Sequence, residues 1–126
     1  MEGFRLLKHT DIPIKLDFLD YIKRISSFYK REICGLISHN SLFFVKNSSP
    51  LPMKTFYIDP VKYLEVSQDK KIDFCFHSHP ETSCNPSGAD IELSDNALVP
   101  FLIFSPKEGK FSLYRPNTQE TIYFLI

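Results

Sequence analysis

Seven short runs rich in strand-forming residues punctuate this chain, and almost every one is cut off by turn residues before it could complete three turns of helix. They are ICGLI (33–37), LFFV (42–45), TFYI (55–58), IDFCF (72–76), VPFLIF (99–104), KFSLYR (110–115) and TIYFLI (121–126). Runs of this length predict strands, and SHNS (38–41) between the first two predicts a hairpin turn. Between Ile14 and Tyr29 the period changes. Ile14, Phe18, Ile22, Ile25 and Tyr29 recur at steps of three and four, with Leu19 and Tyr21 widening the stripe, which predicts an amphipathic helix. SSPLPMK (48–54) reads as a loop. Asp59-Pro60 suits the start of a second helix, to about Asp69, because Asp caps free N–H groups and Pro fits the first turn. A third helix is predicted from about Pro86 to Asn96. The order is that of an α/β single domain over residues 1–126, a central mixed β-sheet flanked by helices.

At 126 residues, with 43% hydrophobic and 14% aromatic content, the chain can bury a core without staples. Fifteen basic residues balance fifteen acidic ones, so nothing favours nucleic acid or an anionic membrane as partner. Cys34, Cys75 and Cys84 are an odd count without a C-x-x-C pair, which argues against a disulfide framework or zinc ribbon and for a reducing compartment. No stretch approaches the roughly eighteen apolar residues of a membrane span, and MEGFRLLKHTDIPIK lacks the apolar core of a signal peptide. A soluble, cytoplasmic protein is expected.

The chemistry concentrates in FCFHSHPETSCNPSGAD (74–90). Alternation from Ile72 puts Phe74 and Phe76 on one face and Asp73, Cys75, His77 and His79 on the other. Two imidazoles thus leave one strand end together, and Asp90 can add an oxygen from the next helix. Two His and one carboxylate with a fourth position left for water is the donor set of a catalytic zinc site; structural sites are closed and richer in Cys. Ser87 and Asp90 also form an S-x-x-D capping pattern, so a plain helix start is the competing reading. A water activated by zinc still needs a base. Glu81 follows Pro80 in a polar loop, whereas Glu32 stands where the first helix gives way to ICGLI and is the better candidate.

Together these residues resemble the JAMM (MPN-plus) metalloprotease motif, E…H-x-H-P-x6-S-x-x-D: Glu32 with Cys34-Gly35-Leu36, HSHP (77–80), six residues, then Ser87-Gly88-Ala89-Asp90. The resemblance spans nearly the whole chain. It implies a cytidine-deaminase-like architecture, one Zn2+ held by His77, His79 and Asp90, and hydrolysis of a peptide or isopeptide amide. Glu32 is implied to be the base toward water and the acid toward the leaving amine, and Ser87 a hydrogen-bond donor to the oxyanion. Asn47, Pro52, TFYIDP (55–60) and VPFLIFSP (99–106) further resemble the JAMM domain of phage tail assembly proteins, which implies a peptide or protein substrate, partners within a tail and association with the virion. The alternative is a non-catalytic scaffold of the same fold. A zinc nucleobase deaminase is disfavoured because no P-C-x-x-C occurs. Two departures from the motif stand out. Phe74 and Phe76 are bulky and are expected to narrow the approach to the histidines. Cys84 is expected to be an exposed loop thiol, the rival being a regulatory fourth zinc ligand.

Overall fold

The structure, a computed structural model, describes residues 6–7, 12–38, 41–47, 65, 67–68 and 71–126. In chain order the elements are β1 (Leu6–Leu7), α1 (Leu16–Phe28), β2 (Cys34–Ser38), β3 (Ser41–Val45), β4 (Phe74–Ser78), α2 (Gly88–Ala97), β5 (Phe101–Ser105), β6 (Lys110–Arg115) and β7 (Glu120–Phe124). The loop expected at 48–54 and the strand TFYI (55–58) lie outside the described residues. Of the helix expected from Asp59-Pro60, Glu65, Ser67 and Gln68 are described and helical.

The strands form one seven-stranded sheet in the order β1-β7-β6-β5-β4-β2-β3. It is mixed, since β4 pairs parallel with β5 and β1 with β7 while the other pairings are antiparallel. The parallel step from β4 to β5 requires a crossover, and α2 supplies it. β4 and β5 lie mid-sheet and every residue in both is buried, which explains their near-continuous apolar sequence. Two cores result, one on each face. On the α1 face Leu19 and Ile22 pack with Phe74, Phe76, Phe104, Phe111 and Phe124. On the other, Leu36, Cys75, Phe101 and Tyr114 pack with Ile91 of α2. Each fully buried Phe contributes roughly 2–3 kcal/mol of transfer free energy, so the Phe-rich composition forms the layer that holds α1 to the sheet.

Three expectations shift. β4 begins at Phe74, so the strand alternation does not reach back to Ile72, which packs with Cys75 in the second cluster and not with Phe74 and Phe76. α1 buries Leu19, Ile22 and Ser26, leaving Tyr21 50% and Tyr29 51% exposed. Its apolar stripe is therefore wider than the surface that the sheet covers. Finally, Phe74 and Phe76 project away from the histidine face and do not narrow the approach to it.

Gly35 is dictated by close approach. A Cβ there would lie 2.1 Å from the Phe43 carbonyl oxygen and 2.3 Å from Phe76 Cζ, so a side chain would push apart β2, β3 and β4 where they register.

Candidate metal centre

β2 and β4 pair antiparallel with Cys34 opposite His77, so the segment before β2 lies against the segment after β4. Two bonds extend the pairing: Ser78 N donates to Ile33 O at 3.0 Å, and the Ser78 hydroxyl oxygen accepts from Ile33 N at 3.0 Å. Glu32 is thereby held across from His79. Asn47 Nδ2 donates to its backbone carbonyl at 2.8 Å, tying it also to the end of β3. On the other flank His79 N donates to Phe104 O at 2.9 Å, which continues the β4–β5 ladder past its last paired residue.

α2 enters the same face. Ser87 is its N-cap: the Ser87 oxygen accepts from Asp90 N at 3.1 Å and Asp90 Oδ2 accepts from Ser87 N at 2.9 Å, a reciprocal capping box. The cap is thus formed, and the same bonds aim the Asp90 carboxylate at the histidines. Asp90 Oδ1 lies 3.1 Å from His77 Nε2, Asp90 Oδ2 3.2 Å from His79 Nε2, and the two Nε2 atoms 3.2 Å apart. One Glu32 carboxylate oxygen and a ring nitrogen of each histidine all lie within 4.8 Å of one another. Glu32, His77, His79 and Asp90 converge, and Ser87 joins them through Asp90.

These separations suit a metal. Ligands about 2.0–2.1 Å from a tetrahedral zinc stand roughly 3.3 Å from each other, close to the spacing among His77, His79 and Asp90. His79 Nδ1 donates to the Ser83 carbonyl at 2.8 Å, which fixes the proton on Nδ1 and leaves the Nε2 lone pair for an ion. The residues present therefore fit the ion.

Burial sets the electrostatics. Glu32 is 3% exposed; burial raises its carboxyl to about 7 against the lowering pull of His79, with Asp90 adding to the rise. His77 is fully buried, and burial pushes its pKa down despite the nearby Asp90. Burial would raise Asp90 too, but the histidines and the Ser87 N–H outweigh it and hold the carboxyl well below the usual range. His79 is pushed down by burial, yet its bonds to Asp90 and Ser83 win and its pKa rises.

Cys84 corrects the expectation of an exposed loop thiol. It is 1% exposed, and burial, reinforced by Glu108, pushes its thiol up to about 12. A neutral, enclosed thiol is a poor zinc ligand, and among the described residues the metal-capable group contains no cysteine. Its backbone is where it matters: Cys84 N donates to Glu108 Oε1 at 2.9 Å, and its carbonyl accepts from the Ser112 hydroxyl. One residue earlier than Ser83, the Thr82 carbonyl accepts from Ser105 at 2.6 Å. Both neighbours of Ser83 are thus anchored, and its carbonyl stays aimed at His79. Ser78, Ser83, Ser105, Glu108 and Ser112 did not stand out in the sequence. The usable signal was serine inside otherwise apolar strands, FCFHS, FLIFS and KFSLYR, since a buried hydroxyl needs a partner.

The architecture is that of the JAB1/MPN domain. A JAB1/MPN domain protein from Archaeoglobus fulgidus superposes with a TM-score of 0.52 over 86% of this chain and 94% of its own, at 19% identity. The solution structure of a Desulfitobacterium hafniense protein gives 0.65 over 87% and 90%, at 21% identity. In sequence, the chain is 30% identical over 93 residues to the tail tip assembly protein K of Escherichia phage N15, covering 71% of this chain and 38% of that protein. It is also 32% identical over 87 residues to the O-phosphoserine–tRNA(Cys) ligase of Methanococcus maripaludis, covering 61% of this chain and 16% of the ligase. The chain thus spans less than half the length of the curated relatives it matches. No protein-family model matches it.

Proposed function

We propose that this domain is a zinc-dependent hydrolase of peptide or isopeptide bonds, of the JAMM type. The observation that carries the reading is the convergence of His77, His79 and Asp90 at 3.1–3.2 Å with the buried Glu32 carboxylate within 4.8 Å of both histidines. His77, His79 and Asp90 would hold the ion. Zinc in such a site supplies a Lewis acid, lowering the pKa of water to about 7 and polarising the amide carbonyl. Glu32 accepts a proton from the attacking water and returns it to the leaving amine. Its burial favours this role, because a base poised near neutrality can both take and give a proton. Asp90 stays ionised through the capping box, and the Ser83 carbonyl keeps His79 in the ligating tautomer. Ser87, at the exposed end of α2, is the donor in reach of the oxygen that gains charge as the carbonyl is attacked.

A place in tail assembly is supported by the name of the phage N15 relative. The domain would then act on, or beside, another tail protein. A non-catalytic scaffold role has less support, because an unneeded cluster of two histidines and two buried acids would cost stability.

Metal analysis and hydrolysis test the reading together. The purified protein is expected to carry about one zinc per chain, to lose it in His77→Ala and Asp90→Ala, and to cleave peptides drawn from a proteome digest only when loaded. Glu32→Gln is expected to keep the zinc and lose about 100- to 10,000-fold in rate. Zinc-free wild-type protein, or full activity in Glu32→Gln, would refute it.

A further inference from the structure

The apolar stripe of α1 runs past the part of the helix that the sheet covers. Tyr21, Ile25 and Tyr29 are spaced four apart and form one ridge of the helix. Across from them stands Phe44 of β3, 42% exposed, its ring 5.5 Å from Tyr21 and 5.2 Å from Phe76. Ridge and ring line a cavity of ≈ 410 Å³ that is also lined by Glu32, Arg31 and Lys46. That volume is in the range of ligand pockets, roughly 300–1,000 Å³. Both cations are exposed, and among the described residues Glu32 is the one acid in the lining.

We propose that this cavity is a specificity subsite for the substrate polypeptide, seating a large apolar or aromatic side chain next to the scissile amide while Arg31 and Lys46 select a carboxylate nearby. The inference rests on the hydrolase reading above and adds the class of substrate to it. Continuity with the metal centre argues for substrate as the occupant. Glu32 lines the cavity and faces the histidines at once, so a chain lying there has an amide within reach of the base. The half-exposed rings have the planar, rigid form that grips apolar side chains at low entropic cost. The basic rim supplies the second half of the recognition, because a neighbouring acid on the peptide is drawn to the guanidinium and ammonium, whereas a basic one is repelled.

Binding separates this proposal from the catalytic one. The probe is a dansylated peptide, Gly-Ala-Asp-Phe-Ala-Gly, with two controls in which Phe becomes Ala or Asp becomes Lys. Fluorescence anisotropy is read on the zinc-loaded Glu32→Gln protein, so that hydrolysis does not interfere. The parent peptide is expected to bind about ten-fold more tightly than either control, the loss expected for truncating a partly enclosed ring. Adding Tyr29→Ala or Phe44→Ala should abolish the discrimination between Phe and Ala. Adding Arg31→Glu with Lys46→Glu should reverse that between Asp and Lys. Zinc content guards against misfolding: a variant that keeps its zinc and still discriminates as the parent does overturns the subsite, as does equal binding of all three peptides. Discrimination without cleavage by the wild type would leave the subsite standing and remove the hydrolase reading. Cleavage with no preference for Phe or Asp would do the opposite.

Discussion

Replacing Glu32 by Gln should stabilise the metal-free protein, and the gain should depend on pH. Burial raises this carboxyl from an ordinary 4.5 to about 7, so the folded state binds its proton more tightly than the unfolded one. The folded state keeps its full stability below pH 4.5, where both forms are protonated, and loses part of it as pH rises from 4.5 through 7. At 1.36 kcal/mol per pH unit the complete shift corresponds to about 3 kcal/mol. Water can approach past the 11% exposed His79 side chain and screens part of this, so about 2 kcal/mol is expected. Glutamine keeps the shape and carries no charge, and so it avoids the penalty. Urea denaturation in chelator, from pH 4.5 to 8, should show the two proteins equal at the acid end and Glu32→Gln ahead by about 2 kcal/mol at pH 8. In a thermal melt the difference is roughly 8 °C. Adding zinc should shrink it, because a dication nearby favours the ionised carboxylate. A variant no more stable than wild type at pH 8, or a gain that is constant with pH, would refute the argument that the base is held in the site at the expense of stability.

Ser87 has two proposed roles that separate by magnitude. Ser87→Ala should cost about 1 kcal/mol in denaturation through the lost cap, and on the order of 100- to 1,000-fold in hydrolysis rate through the lost donor. Cys84→Ser should leave zinc affinity, measured against a chromophoric chelator, unchanged, because the neutral thiol is enclosed away from the ligands. Gly35→Ala should destabilise by about 3 kcal/mol or more in urea, since the clash at 2.1 Å is with backbone that cannot rotate aside. Glu108→Gln keeps an acceptor for Cys84 N but Glu108→Ala does not; the alanine variant should weaken zinc binding about ten-fold, as second-shell losses do, and the glutamine variant should restore most of it.

Much of the sheet was legible because short apolar runs closed by turns have few other ways to fold, and the observed strands fall within two residues of those runs wherever the chain is described. The four converging side chains were legible too, through two local signals and one distant one. His77 and His79 share a face by strand alternation, and Asp90 follows at a helix start. Glu32 was reached by asking what base such a site needs. Less legible was everything set by which neighbour an element meets. Alternation could not say that β4 starts at Phe74, nor that Phe76 turns toward α1 and away from the histidines. It could not enclose Cys84, whose loop is polar in sequence yet lies beneath Glu108 and Ser112.

The sequence by itself determined the donor set, two imidazoles and two carboxylates on elements of the right period, because side-chain direction in a strand and at a helix cap is a local property. Only the tertiary structure decided that these donors meet at 3.1–3.2 Å. The distance depends on three contacts far apart in the chain: Ser78 bonding to the residue after Glu32, α2 crossing from β4 to β5, and Ser83 held in place from β5 and β6. It also decided that Tyr21 and Tyr29 stay half-exposed beside Glu32, because the sheet under α1 is narrower than the helix's own apolar stripe.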